Sequence, residues 1–406
     1  MSVRGVLLAA FVAGLGLSIT LAETALALLT LHWLWHFRDP ARRAAARWPL
    51  WPPVFAFSGV TVLSALLSGH PLASLEASKG LLLAAVLYVV ADALRETSAA
   101  DRFLAGLALA ATVAAVVGLL QVGLCPGPDV PVASPRWLYH RCDRAHGFFS
   151  IYMTLAGVLS LVLLASLPRL LLGGQPLRRL AGPWVVMLWG LIMTYTRGAW
   201  IGFAAGVLVV ASTIRRGRWL LVAGLLALAG AALLAPPELR HRFLSMADPE
   251  EAGVQERVYM WKSGFALWRE RPLLGVGPGG VKREYSRYAL SEAFKKRTSH
   301  VHNTPLQILV ERGVLGLAAW LWIWAAFFTH AIGLLRRLPE QARPERALVA
   351  GSLAAIVGFL VGGLSEYNFG DSEVVMVAWA LVALPRAVEV REPAPHPDPL
   401  PRGERG

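Results

Sequence analysis

The sequence predicts an all-α integral membrane protein with about twelve transmembrane helices. Of the 406 residues, 56% are hydrophobic and 16% are charged, and the mean hydropathy is +0.53. Soluble domains carry about 25% charged residues, so these values exclude an ordinary soluble enzyme. A chain this hydrophobic, with only two cysteines, is also neither disordered nor a disulfide-stabilised scaffold. The third observation is a series of apolar stretches of about the length that crosses a bilayer.

The first apolar stretch, 5–36, is too long for one span. Gly14, Gly16 and Ser18 lie near its middle, where a helix break costs least, so we predict two helices at 5–17 and 18–36. The other predicted spans lie at 49–68, 77–94, 101–121, 147–167, 182–196, 198–214, 218–235, 313–335, 347–365 and 373–388.

The distribution of basic residues supports this topology. With the N-terminus inside, 21 of the 39 lysines and arginines fall in inside segments, as the positive-inside rule requires. A single span at 5–36 would place every arginine-rich turn outside. The chain therefore divides into nine spans over 1–235, a large outside loop over 236–312, three spans over 313–388, and an inside tail over 389–406. The tail is rich in proline and charge, and we expect it to be disordered.

The two cysteines, Cys125 and Cys142, both fall in the predicted outside loop 122–146. A disulfide between them would require an oxidising compartment such as a periplasm and would stabilise the fold by about 3 kcal/mol. Two unrelated free thiols are the alternative. No small-residue cleavage site follows the first apolar stretch, so we expect no cleaved signal peptide.

The loop 236–312 holds 13 basic and nine acidic residues, a local excess of four positive charges. A loop this long is exempt from the positive-inside rule, so these charges do not set the topology. Where the other connections are short, one long loop is the expected place for recognition or chemistry. The local excess of four positive charges therefore suits an anionic ligand, and the net charge of +13 needs no nucleic-acid partner.

Two patterns predict local structure in this loop. Apolar residues at helical spacing predict an amphipathic helix that also carries Arg257, and they are Val254, Val258, Trp261, Phe265 and Trp268. This helix either lies in the membrane interface or packs on another part of the loop. The stretch 275–280 matches G-x-G-x-x-G, but no strand precedes it. We therefore reject a dinucleotide site and expect a turn that brings backbone close to another group.

The loop ends with two histidines just before a helix. Thr304, Pro305 and Gln307 predict a capped helix start. His302 then lies at the positive end of the helix, which favours the neutral imidazole that a general base needs. A structural histidine is one alternative. A metal site is less favoured, because His300 and His302 at alternate positions of an extended segment would point to opposite sides.

A few charged residues lie at or within the membrane. Arg197 occupies a very short outside turn, where an arginine is costly unless it is paired or functional. Its guanidinium suits bidentate phosphate binding, and snorkelling to the interface is the alternative. Glu23 falls within a span, where it either pairs with an arginine or lines a polar cavity. We expect Asp371 and Glu373, in the last outside turn, to be solvated.

The motifs resemble those of bacterial O-antigen ligases over essentially the whole chain. His302-Asn303, nine residues and then Gly313-Val-Leu-Gly316 fit the pattern H-[NSQ]-x9-G-x-x-G of that family. The segment Arg197–Ile201 is similar to the family's R-x3-L motif, with isoleucine in place of leucine. Arg257 followed by Pro272-Leu-Leu-Gly-Val-Gly-Pro-Gly279 is similar to a stretch shared with O-antigen polymerases.

The resemblance implies transfer of O-antigen polysaccharide from undecaprenyl diphosphate to lipid A–core oligosaccharide, at the periplasmic face of the inner membrane. It also implies a GT-C-like architecture that needs neither metal nor nucleotide. We predict that His302 is the general base and that Arg197 and Arg257 stabilise the diphosphate. Further predicted substrate contacts are Tyr195, Asn303, Lys295, Lys296 and Arg297, and a solvated or headgroup-facing patch is the alternative for the last three.

Three other functions compete with the ligase. An O-antigen polymerase uses the same donor with a lipid-linked acceptor, and a protein-directed oligosaccharide transferase uses a protein acceptor. A flippase or transporter would carry its charges near mid-membrane on broken helices. The His-Asn motif with its G-x-x-G spacing favours the ligase, and the scarcity of mid-span carboxylates other than Glu23 disfavours the transporter.

Overall fold

The computed structural model describes residues 2–124, 143–172, 181–214, 219, 223–224 and 251–388. Within these ranges every regular element is helical. The α-helices are α1 (Val3–Leu17), α2 (Ile19–His36), α3 (Pro40–Ala44), α4 (Trp51–Leu66), α5 (Pro71–Ala77), α6 (Ala85–Ala93), α7 (Thr97–Gly123), α8 (Tyr152–Leu172), α9 (Ala181–Met193), α10 (Arg197–Thr213), α11 (Ala252–Trp268), α12 (Gly280–Glu284), α13 (Thr304–Arg337), α14 (Arg343–Gly362) and α15 (Ser372–Ala383). The 3₁₀ segments are Ser78–Ala84, Tyr285–Arg287, Asn368–Gly370 and Leu384–Val388.

Each predicted span that falls on the described residues corresponds to a helix. Five helical segments are long and apolar enough to cross a membrane, namely Pro71–Ala93, Thr97–Gly123, Tyr152–Leu172, Thr304–Arg337 and Arg343–Gly362. The chain is therefore a multi-pass helical membrane protein. The total of twelve spans stays a prediction, because 218–235 lies almost wholly outside the described residues. So do Cys125, Cys142, the loop residues 236–250 and the tail 389–406.

The predicted break in the first apolar stretch is confirmed and lies at Ser18. This residue is extended, with φ −164° and ψ 118°, and its hydroxyl accepts a hydrogen bond from the Leu21 amide at the start of α2. The two short helices pack side by side as a hairpin. Glu23 lies on the exposed face of α2.

The helices α8, α14 and α15 form the centre of the bundle, and one face of α10 packs against α8 and α14. Nearly every residue from Thr154 to Arg169 of α8 is buried, and α14 is buried over most of its length. The helices α10 and α14 approach closely at Gly202, where a Cβ atom would lie 2.4 Å from the Gly358 carbonyl oxygen. Small residues that let helices approach are how membrane helices gain packing energy.

The long helix α13 is kinked at Gly313, where φ is 67° and ψ is −170°. At the kink the loop before α12 pairs with the helix backbone: the Val276 and Gly277 amides donate to the Val310 and Glu311 carbonyls at 3.0 Å. The predicted close approach of the glycine-rich turn is thus to α13 itself. This close approach and the positive φ at the kink give Gly313, the first glycine of the G-x-x-G motif, a structural role.

We expect Gly313→Ala to lower the free energy of unfolding by about 1–3 kcal/mol, because the backbone conformation is strained for alanine. The added methyl group would also lie 2.1 Å from the Leu273 carbonyl oxygen. Gly333→Ala, in the same helix, is the control. Its methyl group would meet nothing closer than 3.7 Å, so it should be neutral or stabilising. Equal thermal unfolding temperatures for the two variants would contradict this account.

The predicted loop helix is present as α11, but its buried face differs from the predicted apolar stripe. The buried residues are Glu256, Met260, Ser263, Gly264 and Leu267, whereas Phe265 of the stripe is 41% exposed. The helix packs against Val281, Tyr285, Val301 and Val310. Of the two alternatives for this helix, the structure shows packing on the rest of the loop and on the start of α13.

Candidate active site

A polar cavity of about 410 Å³ lies where the first turns of α8, α10 and α11 meet the segment before α13 and the turn after α14. Its lining is dominated by charged and aromatic polar side chains. They are Arg144, Tyr152, Tyr195, Arg197, Glu251, Glu256, Arg257, Lys295, His302 and Glu366. The cavity thus brings together all three predicted catalytic residues, with Tyr195 and Lys295.

His302 is held in this cavity by Glu366. The imidazole Nδ1 lies 3.0 Å from Glu366 Oε2, and both side chains are about 85% buried. His302 has φ 49°, in the left-handed region that non-glycine residues rarely adopt. With Nδ1–H donated to the carboxylate, Nε2 carries the lone pair and can accept a proton. A histidine held by a carboxylate in this way can act as a positioned general base.

The second oxygen of Glu366 pairs with Arg257, whose Nη2 lies 2.6 Å from Oε1. One carboxylate therefore orients both an imidazole and a guanidinium. Sequence reasoning missed Glu366, which follows the predicted span 347–365 directly. The only sequence signal for Glu366 is its position as a carboxylate at the end of a predicted span.

Arg197, the first residue of α10, makes a bidentate ion pair with Glu251. The two nitrogen–oxygen distances are 3.0 and 3.1 Å, and the arginine is buried. Glu251 is also the N-cap of α11 and accepts from the Val254 amide at 3.1 Å. The carboxylate thus occupies the planar fork that a phosphate would use.

Tyr195 precedes Arg197 in the turn between α9 and α10, where its φ is 52°. This conformation and the aromatic contact with Trp200, at 6.4 Å between ring centroids, place the tyrosine beside the arginine. Elsewhere in the cavity lining, the backbone amides of Phe294 and Lys295 donate to the buried Glu256 carboxylate at 2.9 Å. This contact fixes the backbone from which the Lys295 side chain extends.

The structure does not bring the other predicted substrate-binding residues into the cavity. Lys296 Nζ donates to the carbonyls of Leu290 and Ser291 at 2.6 and 2.7 Å. Arg297 is exposed. Asn303 is the N-cap of α13: its Oδ1 accepts from the Leu306 amide at 2.9 Å.

The predicted cap at Thr304 is therefore wrong by one residue. Asn303 caps the helix and also donates from Nδ2 to the Leu364 carbonyl at 2.9 Å. The Thr304 hydroxyl bonds to the Glu366 carbonyl and to Asn368 Oδ1, each at 3.0 Å. The residues after His302 thereby fasten the turn that carries Glu366, which gives the His-Asn motif a positioning role.

The expectation that His300 and His302 point to opposite sides is wrong. Their ring centroids are 4.3 Å apart, because the left-handed backbone at His302 breaks the extended geometry. His300 lines a smaller adjoining cavity of about 210 Å³, and burial lowers the pKa of its imidazole to about 4. Among the described residues no group of three histidine, cysteine or carboxylate side chains could hold a metal.

This pKa predicts an acid-sensitive fold. His300 stays neutral in the folded protein down to about pH 4, whereas the unfolded chain binds a proton below about pH 6.5. Stability should therefore fall by roughly 1 kcal/mol per pH unit as the pH drops through this window. Thermal unfolding should show a shallower pH slope for His300→Gln than for wild type. His70→Gln, which changes a half-exposed histidine, should keep the wild-type slope, and equal slopes for both variants would contradict the assignment.

The expectation that Asp371 is solvated is also wrong. It is the N-cap of α15, accepts from the Val374 amide at 3.2 Å and from the Thr154 hydroxyl at 2.5 Å, and lines the smaller cavity. Burial raises the pKa of its carboxyl. Glu373, in the following turn, is half-buried.

Arg144 is a further cavity residue that sequence reasoning did not select. Its guanidinium carbon lies 4.3 Å from the centroid of the Tyr152 ring, and Nε is 3.6 Å from Asp143 Oδ2. With Arg197, Arg257 and Lys295 it gives the cavity four cationic side chains, against three carboxylates. The cavity therefore suits a ligand of net negative charge.

Comparison with known families supports the sequence resemblance. Residues 183–321, about a third of the chain, match the family model described as O-antigen ligase. The matched region contains Arg197, Arg257 and His302 and ends before Glu366. No curated protein sequence matches the chain.

Proposed function

From the match of residues 183–321 to the O-antigen ligase family, we propose that this chain transfers O-antigen polysaccharide from undecaprenyl diphosphate to lipid A–core oligosaccharide. The observation that carries this proposal is the single cavity in which Glu366 holds His302 beside two arginines. The family match itself supports a membrane enzyme of the ligase or polymerase type.

His302 supplies the base in the proposed reaction. A hydroxyl of the acceptor sugar gives its proton to Nε2 while its oxygen attacks the anomeric carbon of the donor. The bond from that carbon to the diphosphate breaks, and undecaprenyl diphosphate leaves with the electron pair. In-line attack inverts the anomeric centre. Glu366 stabilises the imidazolium that forms, through the hydrogen bond to Nδ1.

The arginines stabilise the leaving diphosphate. Arg257 reaches the cavity from α11 and Arg197 from α10, so two guanidinium groups approach it from different helices. In many enzymes, fixed cations aimed at developing charge account for more of the rate enhancement than any other effect. The diphosphate would replace Glu251 in the fork of Arg197. We propose that these cations take the place of a metal, and that the reaction needs no cofactor.

We further propose that the cavity faces the periplasm and that the protein lies in the bacterial inner membrane. The arginine-rich inside turns support this orientation. A helical body with its reaction loop at one end is also the arrangement that a GT-C-like architecture predicts.

A reconstitution experiment tests this function. Purified protein in liposomes would receive lipid-linked O-antigen together with lipid A–core, lipid-linked repeat units or a protein acceptor, each with and without chelator. We expect a glycan ladder on lipid A–core that persists in chelator. Growth only on lipid-linked repeats would identify a polymerase, and growth only on protein an oligosaccharide transferase. Complete loss of activity in chelator would contradict the metal-independent mechanism.

A further inference from the structure

A second polar cavity, of about 370 Å³, lies at the other end of the helix bundle. It opens between the start of α1, the end of α2, α3 and the end of α6. The segment 372–388 starts beside the turn that carries Glu366 and rises about 22 Å from Ser372 to Arg386. There the Arg386 carbonyl accepts a hydrogen bond from Arg47, which follows α3. This end is the one that the basic residues predict to be cytoplasmic.

The charges of this cavity are predominantly positive. Arg4, Arg42 and Arg95 line it together with a single carboxylate, Asp92. Arg4 and Arg95 both pair with Asp92, and Arg4 Nη1 lies 3.4 Å from Asp92 Oδ2. Arg42 pairs with Asp39, 3.8 Å away, and both of these side chains are more than half exposed. An exposed pair at this distance contributes little, so the guanidinium of Arg42 can readily exchange its partner.

Two histidines of α2 also line the cavity. The rings of His32 and His36 lie 4.2 Å apart, and His36 Nδ1 is 2.7 Å from the His32 carbonyl oxygen. Since a carbonyl only accepts, this nitrogen carries the proton, and Nε2 of neutral His36 is an acceptor. The guanidinium groups of the cavity, in contrast, donate to the oxygens of a phosphate in every protonation state of the histidines.

Apolar and aromatic side chains also line the cavity. Leu29, Trp33, Phe37 and Val89 line the cavity. Trp33 also packs against Trp48 and Tyr88, with ring centroids 5.3 and 6.4 Å apart. Tryptophan and tyrosine concentrate where a membrane protein crosses the headgroup level. The cavity therefore combines cationic and apolar lining side chains at the depth where a phospholipid changes from headgroup to acyl chain.

We propose that this cavity binds the phosphate headgroup of an anionic phospholipid, with its acyl chains along Trp33, Phe37 and Leu29. Basic cavities between transmembrane helices on the cytoplasmic side are suited to such headgroups. A soluble phosphate offers the same anionic oxygens but no acyl chain for the apolar lining side chains. The lipid would hold α1, α2, α3 and α6 together, independently of the chemistry at the other membrane face.

Lipid titration of the purified, delipidated full chain tests this proposal. Native mass spectrometry would compare phosphatidylglycerol with phosphatidylcholine of the same acyl chains, and glycerol 3-phosphate would represent the soluble source. We expect phosphatidylglycerol to bind about tenfold more tightly than phosphatidylcholine or glycerol 3-phosphate. Arg42→Gln should weaken it about fivefold, as expected for one surface cation. The double variant Arg4→Gln/Arg42→Gln should weaken it further.

Arg43→Gln is the matched control, because Arg43 lies next to Arg42 on α3, is exposed, and does not line the cavity. It should retain wild-type lipid binding. Equal losses in Arg42→Gln and Arg43→Gln would overturn the site in favour of general surface charge. Binding of glycerol 3-phosphate as tight as that of the lipid would overturn the lipid assignment. Arg42 is exposed, so its replacement leaves the fold intact even if the double variant does not fold.

Discussion

Replacing His302 with alanine is expected to lower kcat for glycan transfer by about 10²–10⁴-fold, because the acceptor hydroxyl loses the base that takes its proton. The neighbouring His300 cannot substitute for it, since burial lowers the pKa of His300 to about 4 and makes it a weak base. The measurement is the initial rate of transfer to lipid A–core in liposomes, with both substrates saturating. KM should change far less than kcat.

The control for this prediction is His70→Ala. His70 directly precedes α5, its Nε2 lies 3.6 Å from Glu284 Oε1, and it does not line the cavity. It should retain wild-type activity. Full activity in His302→Ala would end the assignment of His302 as general base.

Arg257→Ala should lower kcat by about 10²–10³-fold, because the leaving diphosphate loses a fixed cation. The change also removes the 2.6 Å partner of Glu366, so His302 would be held less firmly. Arg257→Lys should recover only part of the rate, since an ammonium group lacks the planar fork. Steady-state kinetics that separate kcat from KM provide the measurement.

Lys262→Ala is the matched control for Arg257, because this lysine lies on the exposed side of the same helix α11 and does not line the cavity. It should leave transfer unchanged. An Arg257→Ala variant in which only KM rises would show that the arginine binds ground state and transition state equally, which contradicts a role in leaving-group stabilisation.

Helix positions could be predicted from the sequence because they depend on local apolar length and on local breaks. Ser18 interrupts a stretch that is too long for one span, and the structure turns there. Burial of individual faces depends on packing instead. The apolar stripe from Val254 to Trp268 predicts which face of α11 is buried. The structure also buries Glu256 and Ser263, which lie off that stripe, and the Glu256 carboxylate binds the backbone of a distant segment.

From local sequence position alone, a residue of the candidate site could be predicted only where that position is unusual for its residue type. Arg197 stands in a short membrane turn, and His302 precedes a helix. Their partners have no such local reason. Glu251 is 54 residues from Arg197, and Glu366 is 64 residues from His302. Only the fold brings these carboxylates to the cavity, so a sequence pattern could not assign them.

The closeness of His300 and His302 illustrates the same limit. Alternation along an extended segment predicts opposite directions, but the positive φ of His302 turns the ring toward its neighbour. That conformation depends on the tertiary contacts of Glu366 and on the hydrogen bonds of Asn303 and Thr304 with the same turn.

A double-mutant cycle on kcat between His302→Ala and Glu366→Gln is the most direct test that these two residues act as one unit. If Glu366 acts mainly through His302, Glu366→Gln slows wild-type transfer but costs much less once His302 is alanine, because only its pairing with Arg257 is then left to lose. The folded state of each variant would be verified by its thermal unfolding. Rate losses that multiply in the double variant, as for two independent residues, would contradict the proposed His302–Glu366 base.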